Sequence, residues 1–130
     1  MRAVLLGDPH AIPILASLDH EDLRAAAAEA VEPAVVERAS VVRVLGGLRD
    51  RTWPPERVQA WASFVRRGYI SNRNEHPLRP LRIDYDDAYE DEISTVVARL
   101  DEIGDLVDGE VSSGEILDLL QLLGESWPTR

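Results

Sequence analysis

The stretch "DYDDAYEDE", residues 84–92, sets six carboxylates within nine positions. Such a cluster suits a divalent cation, an acid/base pair or a cationic macromolecule. A hard cation takes about six to eight oxygens from a loop curled around it. Here the acids run into a helical pattern, where successive side chains fan apart. Asp87 with Asp91, or Asp86 with Glu90, pairs at i, i+4, and two carboxylates leave a coordination shell mostly unfilled. The simpler reading is that Asp84 or Asp86 caps the helix while the following acids oppose the positive end of its dipole.

A second acidic stretch, "GDLVDGEVSSGE", residues 104–115, half-matches a calcium-binding EF-hand loop. Asp108, Gly109, Val111 and Glu115 fall at the fifth, sixth, eighth and twelfth positions. Gly104 and Leu106 fall at the first and third, where the cation needs oxygen ligands. A junction between two helices, turning at Gly109 and restarting at Ser112, explains the stretch better, and no metal site is expected. His10, His20 and His76 are isolated and form no HExxH pair. The eight glycines build no phosphate loop or dinucleotide fingerprint, and no serine sits in a nucleophile elbow. Carboxylates on a solvated helix face lack the burial that tunes an acid/base catalyst. Without cysteine, thiol chemistry and disulfides are excluded. The expectation is a protein with no catalytic residue and no cofactor.

Charge narrows the partners. All 14 basic residues are Arg, and the net charge is −10. Residues 1–83 hold 12 Arg against 10 Asp/Glu, whereas residues 84–130 hold 2 Arg against 14. A field of that sign repels nucleic acid and anionic lipid and attracts basic proteins. The Arg-rich stretch from Arg66 to Arg82 lies near Trp61, Phe64 and Tyr69, which could suggest nucleic acid. Trp61 and Phe64 fit a helix core better, and the arginines fit as an answer to the acidic half, within the chain or across a dimer. No apolar run approaches the roughly 20 residues of a membrane span. The opening "MRAVLLGDPH" is too short for a secretory core, so a cytoplasmic location is expected.

The elements that would carry these residues read as helices. Asp19 caps "LRAAAAEAV", with Leu18 and Leu23 as a hydrophobic staple. Residues 34–45, "AVVERASVVRVL", fit a helical stripe at Val35, Ala39, Val42 and Leu45, although their β-branched content also suits a strand. In "TWPPERVQAWASFVRRG" the prolines open a helix and Val58, Trp61, Ala62 and Val65 mark its buried face. Arg66 and Arg67 complement its last turn and Gly68 caps it. Residues 70–83 read as a polar loop, with a short extended segment near 79–83. Tyr89, Ile93, Val96, Leu100, Ile103 and Val107 then form a seam over about six turns, residues 86–107. Ser112 and Glu115 make a capping box, stapled by Val111 and Ile116, before a last helix that Gly124 closes. The fold class expected is all-α: a single domain over residues 1–130, a bundle of four to five helices, with 1–18 and 124–130 peripheral.

On that scaffold the outer face of the 86–107 helix offers Asp87, Glu90, Asp91, Glu92, Asp101, Glu102 and Asp105. Tyr85 at its edge, or Trp127 in the tail, could supply the aromatic anchor that exposed acids need. The segments "PERVQAWASFV", "YEDEISTVVARLDEIGD" and "VSSGEILDLLQLL" resemble, in order, length and charge, small acidic helical immunity proteins of bacteria, the colicin D immunity-like group. The likeness spans roughly residues 54–123 and transfers no individual site residue. It implies a helical bundle that neutralises a toxin by covering its basic active surface with carboxylates. The expected function is a non-enzymatic, acidic protein–protein interaction domain for a basic partner. The alternatives are a structural or homodimeric helical protein and a weakly Ca²⁺-responsive module.

Overall fold

The computed structural model describes residues 7–13, 35–67, 83–104 and 109–124. Among these residues the fold is all-α apart from one pair of two-residue strands. In chain order the elements are β1 (Val35–Val36), α1 (Arg38–Arg49), α2 (Pro55–Arg67), β2 (Asp84–Tyr85), α3 (Glu90–Asp101) and α4 (Ser113–Leu122). Single 3-10 turns lie at Pro9–Ala11 and Asp87–Tyr89. The helix expected from Asp19, the loop before Ile83, Gly68, Asp105, Val107 and Trp127 lie outside the described residues. Among the described residues no helix is long and apolar enough to cross a membrane.

The ambiguous segment 34–45 divides between both of its readings. Val35 and Val36 form β1, paired in parallel with β2 in the register Val35↔Asp84 and Val36↔Tyr85. The extended segment expected near 79–83 lies outside the described residues apart from Ile83, which leads directly into β2. Because helix α1 begins only at Arg38, the phase of its stripe shifts. Ser40, Val41, Val44, Leu45 and Leu48 are buried, while Ala39 is exposed and Val42 half-buried.

Helix α1 ends in a Schellman turn. The Thr52 N–H donates to Gly47 O at 2.8 Å and the Arg51 N–H to Leu48 O at 3.3 Å. Arg51 takes the left-handed position at φ 61°, where glycine is usual. The turn brings Trp53 back across α1, where a Cβ on Gly47 would lie 1.9 Å from the indole Nε1. Only glycine leaves room for that ring.

Pro55 opens α2, and Pro54 O receives the N–H groups of Arg57 and Val58 at 3.0 and 3.2 Å. Val58 and all five residues from Trp61 to Val65 are buried, so α2 is enclosed on most of its circumference. Such enclosure places it at the centre of the packing. Its most extensive contact is with α3, and α1 packs on α4. Trp61, Phe64, Leu45, Ile93, Leu100 and Leu120 are among the largest fully buried side chains. Each is worth about 1.5–3 kcal/mol on burial, which makes this single cluster the main source of stability.

Two further expectations change. Within residues 1–18, expected at the periphery, Ile12 joins the core and the 3-10 turn beside it packs on α2. Gly7, at φ +91°, lies where a Cβ would meet Ser40 O at 2.4 Å. The long 86–107 helix is shorter than its periodicity implies. It is a 3-10 turn, then α3, then a turn ending at Gly104, whose φ is +91° and whose N–H donates to Gly109 O at 2.9 Å.

Candidate functional site

The acidic face grows from the way α3 begins. Asp86 caps the 3-10 turn, its Oδ1 accepting from the Ala88 N–H at 3.1 Å. Asp84 sits in β2, half-buried. Glu90, Asp91 and Glu92 fill the first turn of α3, where the helix dipole favours anions. Asp87, Glu90 and Asp91 stand at i, i+3 and i+4 and share one exposed face. Glu102 is also exposed, and Glu92 is half-buried. No cation among the described residues pairs with Asp87, Glu90, Asp91, Glu92 or Glu102.

Asp101 does not belong with them. Its side chain is 3% exposed. Oδ2 accepts from Arg66 Nη1 at 2.9 Å and Arg67 Nη2 at 3.1 Å, and Oδ1 accepts from Gln59 Nε2 at 2.9 Å. The carboxylate expected on the outer face is instead a clamp between α2 and α3, and the arginines answer the acidic half at this one point. The signal was present in the chain. Asp101 follows Val97 by four residues, so it shares the flank of α3 that Val97 buries.

Tyr85 also departs from its expected place. It lies in β2, half-buried and packed against the core. Burial raises its hydroxyl pKa above the usual 10.0, with the nearby Arg66 charge pulling the other way. It stands half-buried in the wall behind the acidic turn. Tyr89 is held as well. The Arg38 guanidinium lies 5.4 Å from its ring centre, and Arg38 Nε donates to Leu123 O at 2.5 Å. This cation meets the negative end of α4.

The 104–115 junction behaves as two helix ends. Ser112 Oγ accepts from the Glu115 N–H at 3.1 Å, the first half of the expected capping box. The Glu115 carboxylate turns to Arg99, accepting from Nε at 2.5 Å and Nη2 at 3.1 Å. That hydrogen bond lowers the Glu115 pKa against a smaller cost of burial. Arg99 Nη2 also donates to Glu110 O at 2.9 Å, which ties α3 to the approach to α4. Among the described residues no group of three or more His, Asp or Glu side chains is arranged to hold a metal ion.

One concave feature lies apart from the acidic face. A cleft of about 680 Å³ opens between the α1–α2 turn, residue His10 and the start of α4. Leu48, Trp53 and Ile116 supply apolar wall, with His10, Arg49 and Arg51 around them. His10 and Trp53 meet edge to face at 4.7 Å. Arg57 Nη1 lies 3.1 Å from His10 Nδ1. A guanidinium only donates, so in this contact Nδ1 is the acceptor. The "GG" and "TWPP" pairs at 46–47 and 52–55 were the available trace of this turn.

No protein-family model, curated protein or solved structure matches the chain.

Proposed function

We propose that this protein acts without catalysis, by presenting the exposed acids at the start of α3 to a basic partner protein. The observation that carries the reading is the contrast within one helix. Asp87, Glu90 and Asp91 are exposed with no pairing cation among the described residues, while Asp101 is internally neutralised. Exposed like charges held on a rigid turn speed encounter with a cationic surface and reject anionic ones. The most concrete form is an immunity or antitoxin-like inhibitor that covers the basic surface of a toxin. The partner face is Asp87, Glu90, Asp91 and Glu102, with Glu92 at its edge. Asp101 and Tyr85 act as supports behind it.

The test uses resin carrying the wild-type chain or the D87N/E90Q/D91N variant to recover basic proteins from the native cells. The recovered protein is then titrated against both chains at low and high salt. The expected result is an affinity at least about tenfold weaker for the variant at low salt, converging with wild type as salt rises. Equal affinity for the two chains sinks the reading. Leu122, an exposed large hydrophobic residue on α4, offers the rival contact. Self-association through it would survive high salt, and sedimentation across ionic strength separates the two.

A further inference from the structure

The cleft beside Trp53 combines an indole wall, a strained cation and a rim of one sign. The Trp53 Nε1 edge is buried against Gly47 of α1, with no acceptor among the described residues. Arg51, on the same cleft, holds a left-handed backbone at φ 61° that an unbranched non-glycine residue seldom adopts. Strain of this kind concentrates where a side chain must be aimed. The charged residues around the opening are also of one sign. Arg49 and Arg51 line it beside His10, and Ser113 brings the amino end of α4 to it, while among the described residues no acidic side chain lines it. This is the opposite of a chain whose net charge is −10.

These properties define a ligand. Among the described residues a cation finds no carboxylate in the cleft. A polyanion would meet the repulsive field of the whole molecule, against few cationic groups. An inorganic anion would leave the apolar wall of Leu48, Trp53 and Ile116 unused. What fits is one negative charge joined to an apolar body. We infer that the cleft between the α1–α2 turn and the start of α4 binds an amphiphilic carboxylate. Its apolar body lies on Leu48, Trp53 and Ile116, and its head group meets Arg51 and the positive end of the α4 dipole. The volume, about 680 Å³, falls in the range of small-ligand pockets. Nothing in this site overlaps the acidic face, so either can fail without the other.

Decanoate below its micellar concentration is a suitable probe, with decanol as its uncharged counterpart and inorganic phosphate as its head-group counterpart. The readout is the Trp53 indole N–H resonance, assigned by its loss in W53F. Decanoate is expected to shift this resonance saturably, with decanol binding at least about tenfold more weakly and phosphate causing no saturable shift. The Arg51→Gly variant is expected to weaken decanoate by a similar factor while unfolding at the same or a higher temperature, because glycine accepts the left-handed turn. That pairing separates lost binding from lost folding. The inference is overturned by an absent saturable shift, by equal binding of decanol, by phosphate reproducing the shift, or by undiminished binding in R51G.

Discussion

At the amino end of α3, Asp87, Glu90 and Asp91 stand in solvent, whereas at the other end of the same helix Asp101 is enclosed by Gln59, Arg66 and Arg67. The residue type is the same and the helix is the same. The difference comes from α2, whose last turn runs past Asp101 and delivers two guanidinium groups to it. The first turn of α3 emerges from β2 instead, and Arg38, the cation near Tyr89, is engaged with that ring and with Leu123 O. A count of acids therefore overstates the charge that a partner can use. What a carboxylate does is decided by which neighbouring helix end reaches it.

The strongest way to test that contrast is Asp101→Ala. Removing one member of a buried pair leaves the others without compensation. Because the side chains of Arg66 and Arg67 are 48% and 44% exposed, water recovers part of the loss. The expected cost is about 3 kcal/mol, or a fall of about 10 °C in Tm. Thermal unfolding checks it. A variant as stable as wild type would erase the distinction between the two ends.

Next come the arginines. Arg66→Gln and Arg67→Gln should each cost about 1 kcal/mol, since each removes one charge-assisted bond from a group the other still satisfies. In a double-mutant cycle with Asp101→Asn, measured by urea unfolding, both should couple to Asp101 by more than about 0.5 kcal/mol. Neither should couple to Asp91→Asn. Coupling to Asp91 would mean that the amino end is neutralised too.

Glu115 lies between these extremes, held by Arg99 but with its side chain 34% exposed. Its pKa is lowered, so the unfolded chain binds its proton first as the solution is acidified. The stabilisation is present above the usual value of 4.5 and is lost as pH falls through the lower folded value. After screening by water it is worth about 0.5–1 kcal/mol. The urea midpoints of wild type and Glu115→Gln should differ at neutral pH and converge at low pH.

The legible part of this molecule was the part governed by local pattern. The prolines at 54–55 with Val58, Trp61, Ala62 and Val65 located α2, and Ser112 with Glu115 located the start of α4. Contacts distant in sequence left weaker traces. Nothing near Val35–Val36 announces a pairing with Asp84–Tyr85, because two-residue strands carry no periodicity. That pairing in turn moved the phase of α1. Helix α3 ends before its heptad pattern does, because Ile103 still packs on the core from a turn. On the acidic face the exposed positions followed from the 3.6-residue repeat, but Asp101 depended on where α2 ends. The Trp53 cleft depended on a Schellman turn with Arg51 at the glycine position, which no motif encodes.

The smallest expected effect on stability belongs to the acids at the amino end. Replacing Asp87, Glu90 and Asp91 by Asn or Gln removes favourable dipole contacts of about 0.3 kcal/mol each. It also relieves repulsion between like charges three and four residues apart, of similar size. The two nearly cancel, so the triple variant should unfold within about 0.5 kcal/mol of wild type in urea at low salt. Raising the salt should change the two proteins in parallel, since exposed charges without partners contribute little to the fold. A loss of 2 kcal/mol or more, on the order of a buried-group defect, would show that these carboxylates are committed within the chain. Near-neutrality leaves their charge unspent by folding, the condition under which a basic partner can take it up.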